Sequence, residues 1–443
     1  MNIKLKKKTM SRGITLPEVK SLIDSPIESL PLPEKVVLPL QQSIGEANEI
    51  LVKKGDTVLT GQIIADSADN NLVPVHATIS GEVSDIGTGI NPYTRDLFKT
   101  IVITSNGEDR SVELHTAVNT KEINTDDIIQ IIRTSGIISN GSFSSPIHTQ
   151  IELARGKKID TLLLNGTDSE LYAMSNHRIL VEYGNQVLSG LNVIKSAILP
   201  INVYIVLDSR HKDVINQIEE RILKMGYDIM IIPVDCRYPV VRDNILIKTV
   251  LGRDVPIGGV PTDVGAAVFN ASSAKAIHEA IYEGKPFIDN VITLVGAVKN
   301  PKNLLVRFGT PLKKIIEYCG GMIEDKCQVI TGGAITGNPQ YNLDAPLICD
   351  TNCILVKSGK IVQVLNCINC GRCVEACPMG LMPCYYPKYV KARRYEDCKE
   401  QYVDYCSECG TCAYRCPSNI PIVECVRIAK RELDMDILDR KGN

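Results

Sequence analysis

The sequence predicts a multidomain α/β protein, and three observations support this fold class. The 443 residues exceed what one hydrophobic core usually supports, so three or four domains are expected. Short alternating apolar runs dominate the first 115 residues, and from about residue 120 buried apolar runs alternate with helical patterns. Two cysteine motifs stand after residue 360, where the pattern is helical again.

The composition limits the function classes. The chain has 49 Lys and Arg against 51 Asp and Glu, so no basic field indicates nucleic-acid binding. No apolar segment follows the basic start MNIKLKKKTMSRG, and polar residues and Pro200 interrupt the most apolar stretch, 187–209. Neither a secretory signal nor a membrane span is therefore expected. Sixteen cysteines in such a chain indicate reduced thiols, metal ligation and a cytoplasmic location.

Residues 1–115 are predicted to form a β domain. Within 50–87, short apolar runs are separated by turns such as Lys54-Gly55-Asp56 and Ser80-Gly81-Glu82, where glycine supplies the positive φ of a tight turn. The pattern resembles the barrel-sandwich fold of biotinyl and lipoyl carrier domains. No lysine lies between Ile63 and Phe98, so we expect a structural or docking module and not a carrier.

Residues 116–285 are predicted to form an α/β layered domain. DTLLLNG (160–166), VYIVLD (203–208) and IMIIPVD (229–235) read as buried parallel strands. A crossover helix between the last two ends at Gly226, and its apolar face is predicted to contain Val214, Ile215, Ile218, Ile222 and Leu223. Such domains bind ligands beyond the carboxyl ends of their strands, which is where NGTDSELY (165–172) begins.

Residues 286–360 are predicted to form a small β-grasp module. ITLVGAV and VITGGAITG read as strands and turns, and one short helix ends at Gly320-Gly321. Gly332, Gly333 and Gly337 are interpreted as turn residues, because no P-loop lysine accompanies them.

Residues 361–443 carry the predicted chemistry. CINCGRCVEACP (367–378) and CSECGTCAYRCP (406–417) both have the spacing C-x2-C-x2-C-x3-C-P, which suits [4Fe-4S] clusters. In paired motifs the fourth cysteine usually binds the other cluster. Cluster 1 is therefore assigned to Cys367, Cys370, Cys373 and Cys416, and cluster 2 to Cys406, Cys409, Cys412 and Cys377. Two zinc sites are the alternative, disfavoured by four cysteines in one run with a trailing proline.

Helical patterns between and after the two motifs predict an α-helical ferredoxin domain. Cys384, Cys398 and Cys425 lie in these helical segments and are interpreted as small buried hydrophobes. Five further cysteines remain ambiguous, and metal binding by CDTNC (349–353) is disfavoured. They are Cys236, Cys319, Cys327, Cys349 and Cys353.

The chain as a whole resembles the RnfC family. The resemblance lies in LPLQQSIGEANEILVKKGDTVLTGQ, PVHATISGEV, KKIDTLLLNG, GRDVPIGGVPTDVG, VGAVKNPKNLLVRFGTP and both cysteine motifs. It implies a barrel-sandwich domain, an α/β domain like the flavoprotein subunit of complex I, an SLBB-type β-grasp module and a ferredoxin domain. It also implies electron transfer, with FMN and NADH in the typical member. Implied partners are Rnf subunits, ferredoxin or a reductase such as proline reductase, with possible peripheral association on the inner face of the cell membrane.

The predicted flavin site departs from the family pattern. SNGSFSSPIH (139–148) replaces a glycine-rich loop, with Ser139, Ser142 and Ser144 at glycine positions, and YPVVRDN places Val241 and Arg242 at two more. Side chains there obstruct the approach of a flavin to backbone amides. We therefore expect a degenerate FMN/NADH site, for which the retained candidates are Gly141, Asn165 and Glu170.

The sequence thus favours an iron–sulfur protein that relays single electrons between redox partners through two [4Fe-4S] clusters, with FMN doubtful. One alternative is a working NADH-oxidising, FMN-containing peripheral subunit of an Rnf complex. The other is a non-redox interaction scaffold.

Overall fold

The computed structural model describes residues 5–10, 12–17, 21–41, 48–90, 97–113, 124–139, 145–168, 170–359 and 362–441, with side chains to residue 433. Four domains follow one another along the chain, as the sequence predicted. No helix in these ranges is long and apolar enough to cross a membrane.

The N-terminal β domain is a barrel sandwich of two antiparallel sheets. The strands before the first helix are β1 (Lys8–Thr9), β2 (Ile27–Ser29), β3 (Lys35–Pro39), β4 (Glu49–Ile50), β5 (Thr57–Val58), β6 (Ile63–Asp66), β7 (Val75–His76), β8 (Gly81–Ile90) and β9 (Leu97–Ser105). The two sheets have the strand orders β3-β9-β8-β5 and β4-β6-β7. Alternate residues of β3, Val36 and Leu38, point inward and meet Ile101 and Ile103 of β9, and all four are fully buried.

The α/β domain is built on a parallel sheet flanked by helices. Its elements are α1 (Thr125–Thr134), α2 (Ile147–Arg155), β10 (Thr161–Asn165), α3 (Ser175–Ile198), β11 (Asn202–Asp208), α4 (Lys212–Met225), β12 (Met230–Asp235), α5 (Asp243–Leu251), a 3₁₀ turn (Pro261–Val264), β13 (Ala266–Asn270) and α6 (Ala271–Glu283). The strand order is β1-β12-β11-β10-β13, and the three predicted strands are β10, β11 and β12. All five residues of β10 are buried, as expected for a central parallel strand.

The crossover helix α4 corrects one detail of the sequence interpretation. Val214, Ile215, Ile218 and Ile222 are buried, and Gly226 ends the helix with a φ of 67°. Leu223, predicted on the same face, is 57% exposed. It follows Ile222 by one position, about 100° around the helix, and so points away from the sheet.

The β-grasp module contains a six-stranded sheet. Its elements are β14 (Asp289–Gly296), β15 (Lys302–Arg307), α7 (Leu312–Tyr318), β16 (Cys327–Thr331), β17 (Asn338–Gln340) and β18 (Cys353–Ser358). The strand order is β17-β16-β18-β14-β15-β2. Gly332 and Gly333 turn the chain after β16 with φ of 91° and 112°, consistent with the predicted turn role.

The C-terminal domain is helical in its described part. Its elements are α8 (Arg372–Ala376), α9 (Tyr386–Lys391), α10 (Tyr395–Glu400), a 3₁₀ turn (Val403–Tyr405), α11 (Thr411–Tyr414) and α12 (Ile422–Lys441). A small core of Tyr386, Cys398, Val403, Val426 and Ala429 joins α9, α10, the 3₁₀ turn and α12. Cys398 is fully buried there, as its interpretation as a small hydrophobe requires.

The first thirty residues connect the domains in a way the sequence did not predict. β1 pairs with β12 of the α/β domain, with Lys8 opposite Val234. β2 pairs with β15 of the β-grasp module, with Ile27 opposite Asn303. The N-terminal segment therefore extends both following sheets before the chain enters the barrel.

Candidate iron–sulfur and flavin sites

Both cysteine motifs fold into the same local turn. The residue before the second cysteine, Asn369 or Glu408, has a φ of 55° or 53°, and the glycine after that cysteine, Gly371 or Gly410, has a φ of 75° or 78°. Each glycine begins a short helix, α8 or α11. These left-handed positions curl each loop so that successive thiols can face a common centre.

The four cysteines assigned to cluster 2 line one cavity. Cys377 reaches it from the end of α8, while Cys406, Cys409 and Cys412 come from the second motif. Cys377 of the first motif thus lies with three cysteines of the second around one space, and the assignment of all four to one cluster stays a prediction. Among the described residues no three His, Cys, Asp or Glu side chains are grouped closely enough to hold a single metal ion. The thiols instead surround a shared space, and this donor set fits a cluster.

Burial sets the ionisation of Cys406 and Cys412. It raises the pKa of Cys406 to about 12 and that of Cys412 further, with neighbouring thiols adding to the effect. Iron–sulfur ligands are thiolates, so cluster assembly must release these protons while the cluster supplies the compensating positive charge.

The cluster 1 cysteines are more open. Cys373 and Cys416 are half-buried and close enough to interact electrostatically, and Cys384 also stands beside Cys373. Burial raises the pKa of Cys373 to about 11. Cys367 and Cys370 lie on an exposed segment. Cys416 of the second motif therefore lies near enough to Cys373 of the first to affect its ionisation, and their assignment to one cluster stays a prediction.

A charged network supports the cluster 2 loop. Lys430 of α12 donates to the carbonyl oxygen of Cys406 at 2.8 Å and to Glu408 Oε1 at 3.0 Å. Arg427 donates to Glu408 Oε2 at 3.1 Å. Burial acts to raise the pKa of Glu408, but these two cations hold it below its ordinary value. Two positive charges are therefore fixed against the loop that carries Cys406 and Cys409, and the sequence motif gave no signal for them.

The retained flavin-site candidates are engaged with the protein itself. Asn165, at the carboxyl end of β10, donates from Nδ2 to Val241 O at 3.0 Å and accepts from Thr167 N at 3.1 Å. This contact joins two of the segments that depart from the family pattern. Gly141, with Ser142 and Ser144, lies outside the described residues.

Glu170 is occupied by the β-grasp module. Its Oε1 accepts from Thr336 N at 3.0 Å and Thr336 Oγ1 at 2.8 Å, and its Oε2 accepts from Leu171 N at 3.1 Å and Ile335 N at 3.4 Å. Burial raises the pKa of this carboxyl group above its ordinary value. A β-carbon at Gly333 would lie 2.7 Å from Glu170 Cδ, so the glycine admits this side chain. The contacts make Glu170 an interdomain tie.

Ser139 and His148 flank the departed loop. Ser139 N donates to Ser145 O at 2.9 Å, and Ser139 Oγ accepts from Ser145 N at 3.2 Å and from Gln150 at 3.1 Å. His148 is buried and contacts Asn70 O of the barrel through Nε2 at 2.7 Å. The serine therefore braces the loop ends, and the histidine joins two domains. The described residues that flank this loop bond to one another and to the barrel.

A junction links this edge to cluster 2. The hydroxyl group of Tyr238, which is 1% exposed, donates to the carbonyl oxygen of Cys409. Ile335, whose amide contacts Glu170, packs with Tyr238 and Cys409 in one hydrophobic cluster. Cluster 2 is therefore the cluster adjacent to the α/β domain.

A second feature of the strand ends was not predicted. Asp168 accepts from the amides of Asn176 at 3.3 Å and His177 at 2.7 Å, so its carboxylate covers the amino end of α3. His177 and His211 meet edge to face with centroids 4.8 Å apart in a small cavity that Asp208 also lines. An acidic side chain thus fills the helix terminus at which α/β domains usually bind a phosphate.

The cysteines outside the two motifs differ in burial: Cys384 and Cys425, predicted to be buried, are only half-buried, as are Cys236 and Cys327. Cys319 and Cys349 lie in the core of the β-grasp module, and Cys353, the first residue of β18, packs with Ala173 and Met174. Burial raises the pKa of Cys349 to about 12. These thiols are neutral and behave as small hydrophobic side chains.

Comparison with known families divides the chain as the fold does. Residues 8–108 match the RnfC barrel sandwich hybrid domain, 132–279 the Nuo51 FMN-binding domain, 291–339 the SLBB domain and 363–420 the 4Fe-4S dicluster domain. The last match favours iron–sulfur clusters over zinc at the two cysteine motifs.

Similar curated proteins extend over most of the chain. One is the C component of the proton-translocating ferredoxin:NAD(+) oxidoreductase complex of Clostridium ljungdahlii, 36% identical over 391 residues, which cover 86% of this chain and 84% of that protein. Another is the Na(+)-translocating counterpart of Acetobacterium woodii, 31% identical, covering 98% and 99%. A third is the C component of the ion-translocating oxidoreductase complex of Methanosarcina acetivorans, 32% identical, covering 96% and 97%.

A solved structure resembles the fold. A chain of an NAD+-reducing [NiFe]-hydrogenase superposes with a TM-score of 0.50 at 15% identity, covering 72% of this chain and 63% of that one. At this identity the likeness concerns the fold alone.

Proposed function

Because the chain belongs to the RnfC family, the C components of ion-translocating oxidoreductase complexes, we propose that it relays single electrons between redox partners through two [4Fe-4S] clusters. The observation that carries this proposal is the cavity lined by Cys377, Cys406, Cys409 and Cys412 in a domain that matches a dicluster family. The reciprocal approach of Cys416 to Cys373 supports a second cluster nearby.

The eight cysteines of the two motifs would form two cluster sites. Cys406, Cys409, Cys412 and Cys377 would hold cluster 2, and Cys367, Cys370, Cys373 and Cys416 would hold cluster 1. When bound, the clusters supply one-electron oxidation and reduction. Cys377 and Cys416 would each cross to the other motif, so two short stretches of chain, 373–377 and 412–416, would link the two sites. The buried surroundings of Cys409 and Cys412 would limit the access of water to cluster 2.

The family sets the expected partners. The relatives are components of multiprotein complexes, so we infer that this chain works with other subunits of such a complex and associates peripherally with the membrane that holds it. Ferredoxin or a reductase such as proline reductase is a narrower proposal for the electron donor or acceptor. The barrel and β-grasp modules would provide docking surfaces.

A second function has one observation in its favour. Residues 132–279 match an FMN-binding domain, and two relatives belong to ferredoxin:NAD(+) oxidoreductase complexes, so an NADH-oxidising flavoprotein subunit is the alternative. Against it stand the bonds that occupy Asn165 and Glu170 and the side chains at positions 139, 241 and 242. We infer that the FMN/NADH site is degenerate and that electrons enter from another iron–sulfur protein or flavoprotein.

Anaerobic purification followed by metal, sulfide and flavin analysis tests these proposals. The relay predicts about eight iron and eight sulfide per chain, two interacting [4Fe-4S]⁺ signals by EPR after dithionite, and no bleaching by NADH. One FMN per chain with NADH-dependent bleaching would establish the alternative. Zinc in place of iron would contradict both proposals and leave the scaffold role.

A further inference from the structure

The segment before the first cysteine motif presents apolar side chains to solvent. Val362, Val364, Leu365 and Ile368, called here the apolar strip, are 53%, 57%, 52% and 68% exposed. Isolated exposed aliphatic residues are ordinary, but four within seven positions form a patch.

The strip belongs to a fixed surface. Leu365 N donates to Ser418 O at 2.9 Å, Ser418 Oγ donates to Asn366 O at 2.9 Å, and Asn419 Nδ2 donates to Gln363 O at 3.2 Å. These bonds attach the segment to the loop that follows Cys416. The backbone is therefore held while its apolar side chains remain uncovered.

The strip lies at the more accessible of the two proposed clusters. Cys367 and Cys370, on the same segment, are exposed, whereas Cys409 and Cys412 are 6% and 7% exposed. A protein that covers the strip would therefore touch backbone directly joined to cluster 1 ligands.

The segment that follows the strip is rich in basic residues. Residues 362–394 contain five basic residues and one acidic residue, although the whole chain has a net charge of −2. The basic residues, called here the basic rim, are Arg372, Lys388, Lys391, Arg393 and Arg394, of which Arg394 is paired with Asp397. Lys388 Nζ donates to Asn369 Oδ1 at 3.1 Å, which attaches α9 to the cluster 1 loop, and Lys391 lies one turn further on. Tyr385 and Tyr389 stack beside them, with centroids 5.9 Å apart.

We propose that the apolar strip and the basic rim together dock an acidic iron–sulfur protein that exchanges one electron with cluster 1. An apolar centre with aromatic and arginine residues and a charged edge is typical of a protein interface. The basic rim selects an acidic partner and accelerates its encounter. One electron leaves one centre and arrives at the other, and no bond or proton moves. This inference rests on the proposed function, because it requires a cluster at Cys367, Cys370, Cys373 and Cys416.

Anaerobic stopped-flow kinetics tests the surface, with a small acidic two-cluster ferredoxin, reduced by dithionite, as the probe. The double variant Lys391→Glu/Arg393→Glu should lower the second-order rate constant for electron transfer about tenfold or more at low ionic strength, with the difference shrinking as salt screens the charges. The double variant Val364→Ser/Leu365→Ser should lower the rate constant about fivefold at both low and high ionic strength, because it removes apolar contact and no charge.

The matched control is Lys212→Glu/Lys224→Glu, two exposed positions of α4 with the same change in net charge. It should leave the rate constant within about twofold of the wild type. An equal decrease in the control, or wild-type rates in both surface variants, would overturn the proposal. So would variants that lose binding to anionic phospholipid vesicles yet react normally with ferredoxin, since the surface would then face a membrane. Intact EPR signals in every variant separate failed docking from failure of the clusters themselves.

Discussion

Replacing Glu170 with alanine should loosen the loop that separates the α/β domain from cluster 2. The change removes the acceptor for the Ile335 and Thr336 amides and the Thr336 hydroxyl group. A hydrogen bond to a charged group contributes about 1.5–3 kcal/mol, and the 3.4 Å bond from Ile335 belongs at the weak end. Because both loop residues are half-buried and water can replace part of the loss, we expect local opening to become easier by about 1.5–3 kcal/mol.

Hydrogen–deuterium exchange of the 333–338 peptide measures this opening free energy without reversible global unfolding. Since about 1.4 kcal/mol corresponds to tenfold, exchange of the Ile335 and Thr336 amides should accelerate roughly 10- to 150-fold in Glu170→Ala. Thr336→Val is the matched control, because it removes only the hydroxyl contact and should accelerate exchange less than tenfold. Wild-type protection of both amides in Glu170→Ala would refute the assignment of Glu170 as an interdomain tie.

Three further predictions concern the clusters. Cys370→Ala should remove about half of the iron, measured by metal analysis, or all of it if the domain folds only around both clusters; full iron content would contradict the assignment of cluster 1. Lys430→Met should lower the midpoint potential of cluster 2 by on the order of 1 kcal/mol, roughly 40 mV for one electron, because a cation against the Cys406 carbonyl stabilises the reduced state. Lys430→Arg should retain the potential, and EPR-monitored titration should show cluster 1 unchanged in both. Gly410→Ala should lower the temperature of cluster loss more than Gly371→Ala. Both changes force alanine to a positive φ, at a cost of about 1–2 kcal/mol. Only at position 410 would the β-carbon also lie 2.6 Å from Ile335 Cγ2. An equal decrease in this temperature for both variants would mean that the Ile335 side chain moves aside at little cost.

Local patterns predicted local structure well. The strands 160–166, 203–208 and 229–235 are bounded by turn residues and are apolar throughout, so burial on both faces of a parallel sheet could be inferred without knowing their neighbours. The cysteine spacing gave more, because the exchange of the fourth ligand follows from the paired repeat. Cys377 lines a cavity with three thiols of the opposite motif, whereas the ligand assignment itself stays a prediction.

Contacts distant in sequence escaped prediction. β1 and β2 have two and three residues, too few for a period-2 pattern, and their partners lie more than 200 residues away. Glu170 could be recognised as a conspicuous acidic residue after a strand, but its partner loop follows it by 165 residues and has no acidic or basic side chain to signal the contact. The prediction that Leu223 is buried was wrong for a local reason, since an apolar residue at the edge of a helical face can point toward the core or toward solvent.

The arrangement of the two clusters bears on where electrons enter. Tyr238 and Ile335 press against the Cys409 loop, so cluster 2 would face the α/β and β-grasp domains, whereas the cluster 1 cysteines Cys367 and Cys370 face solvent. A flavin in the α/β domain would deliver electrons to cluster 2 first. If that site is degenerate, protein partners must exchange electrons at an exposed cluster, and the open segment beside cluster 1 meets this requirement. In a flavin-containing relative, electrons would leave the protein through the segment beside cluster 1, whereas in this chain they would enter through it. Cluster 2 would then hold electrons in the interior, at a potential that Lys430 and Arg427 adjust.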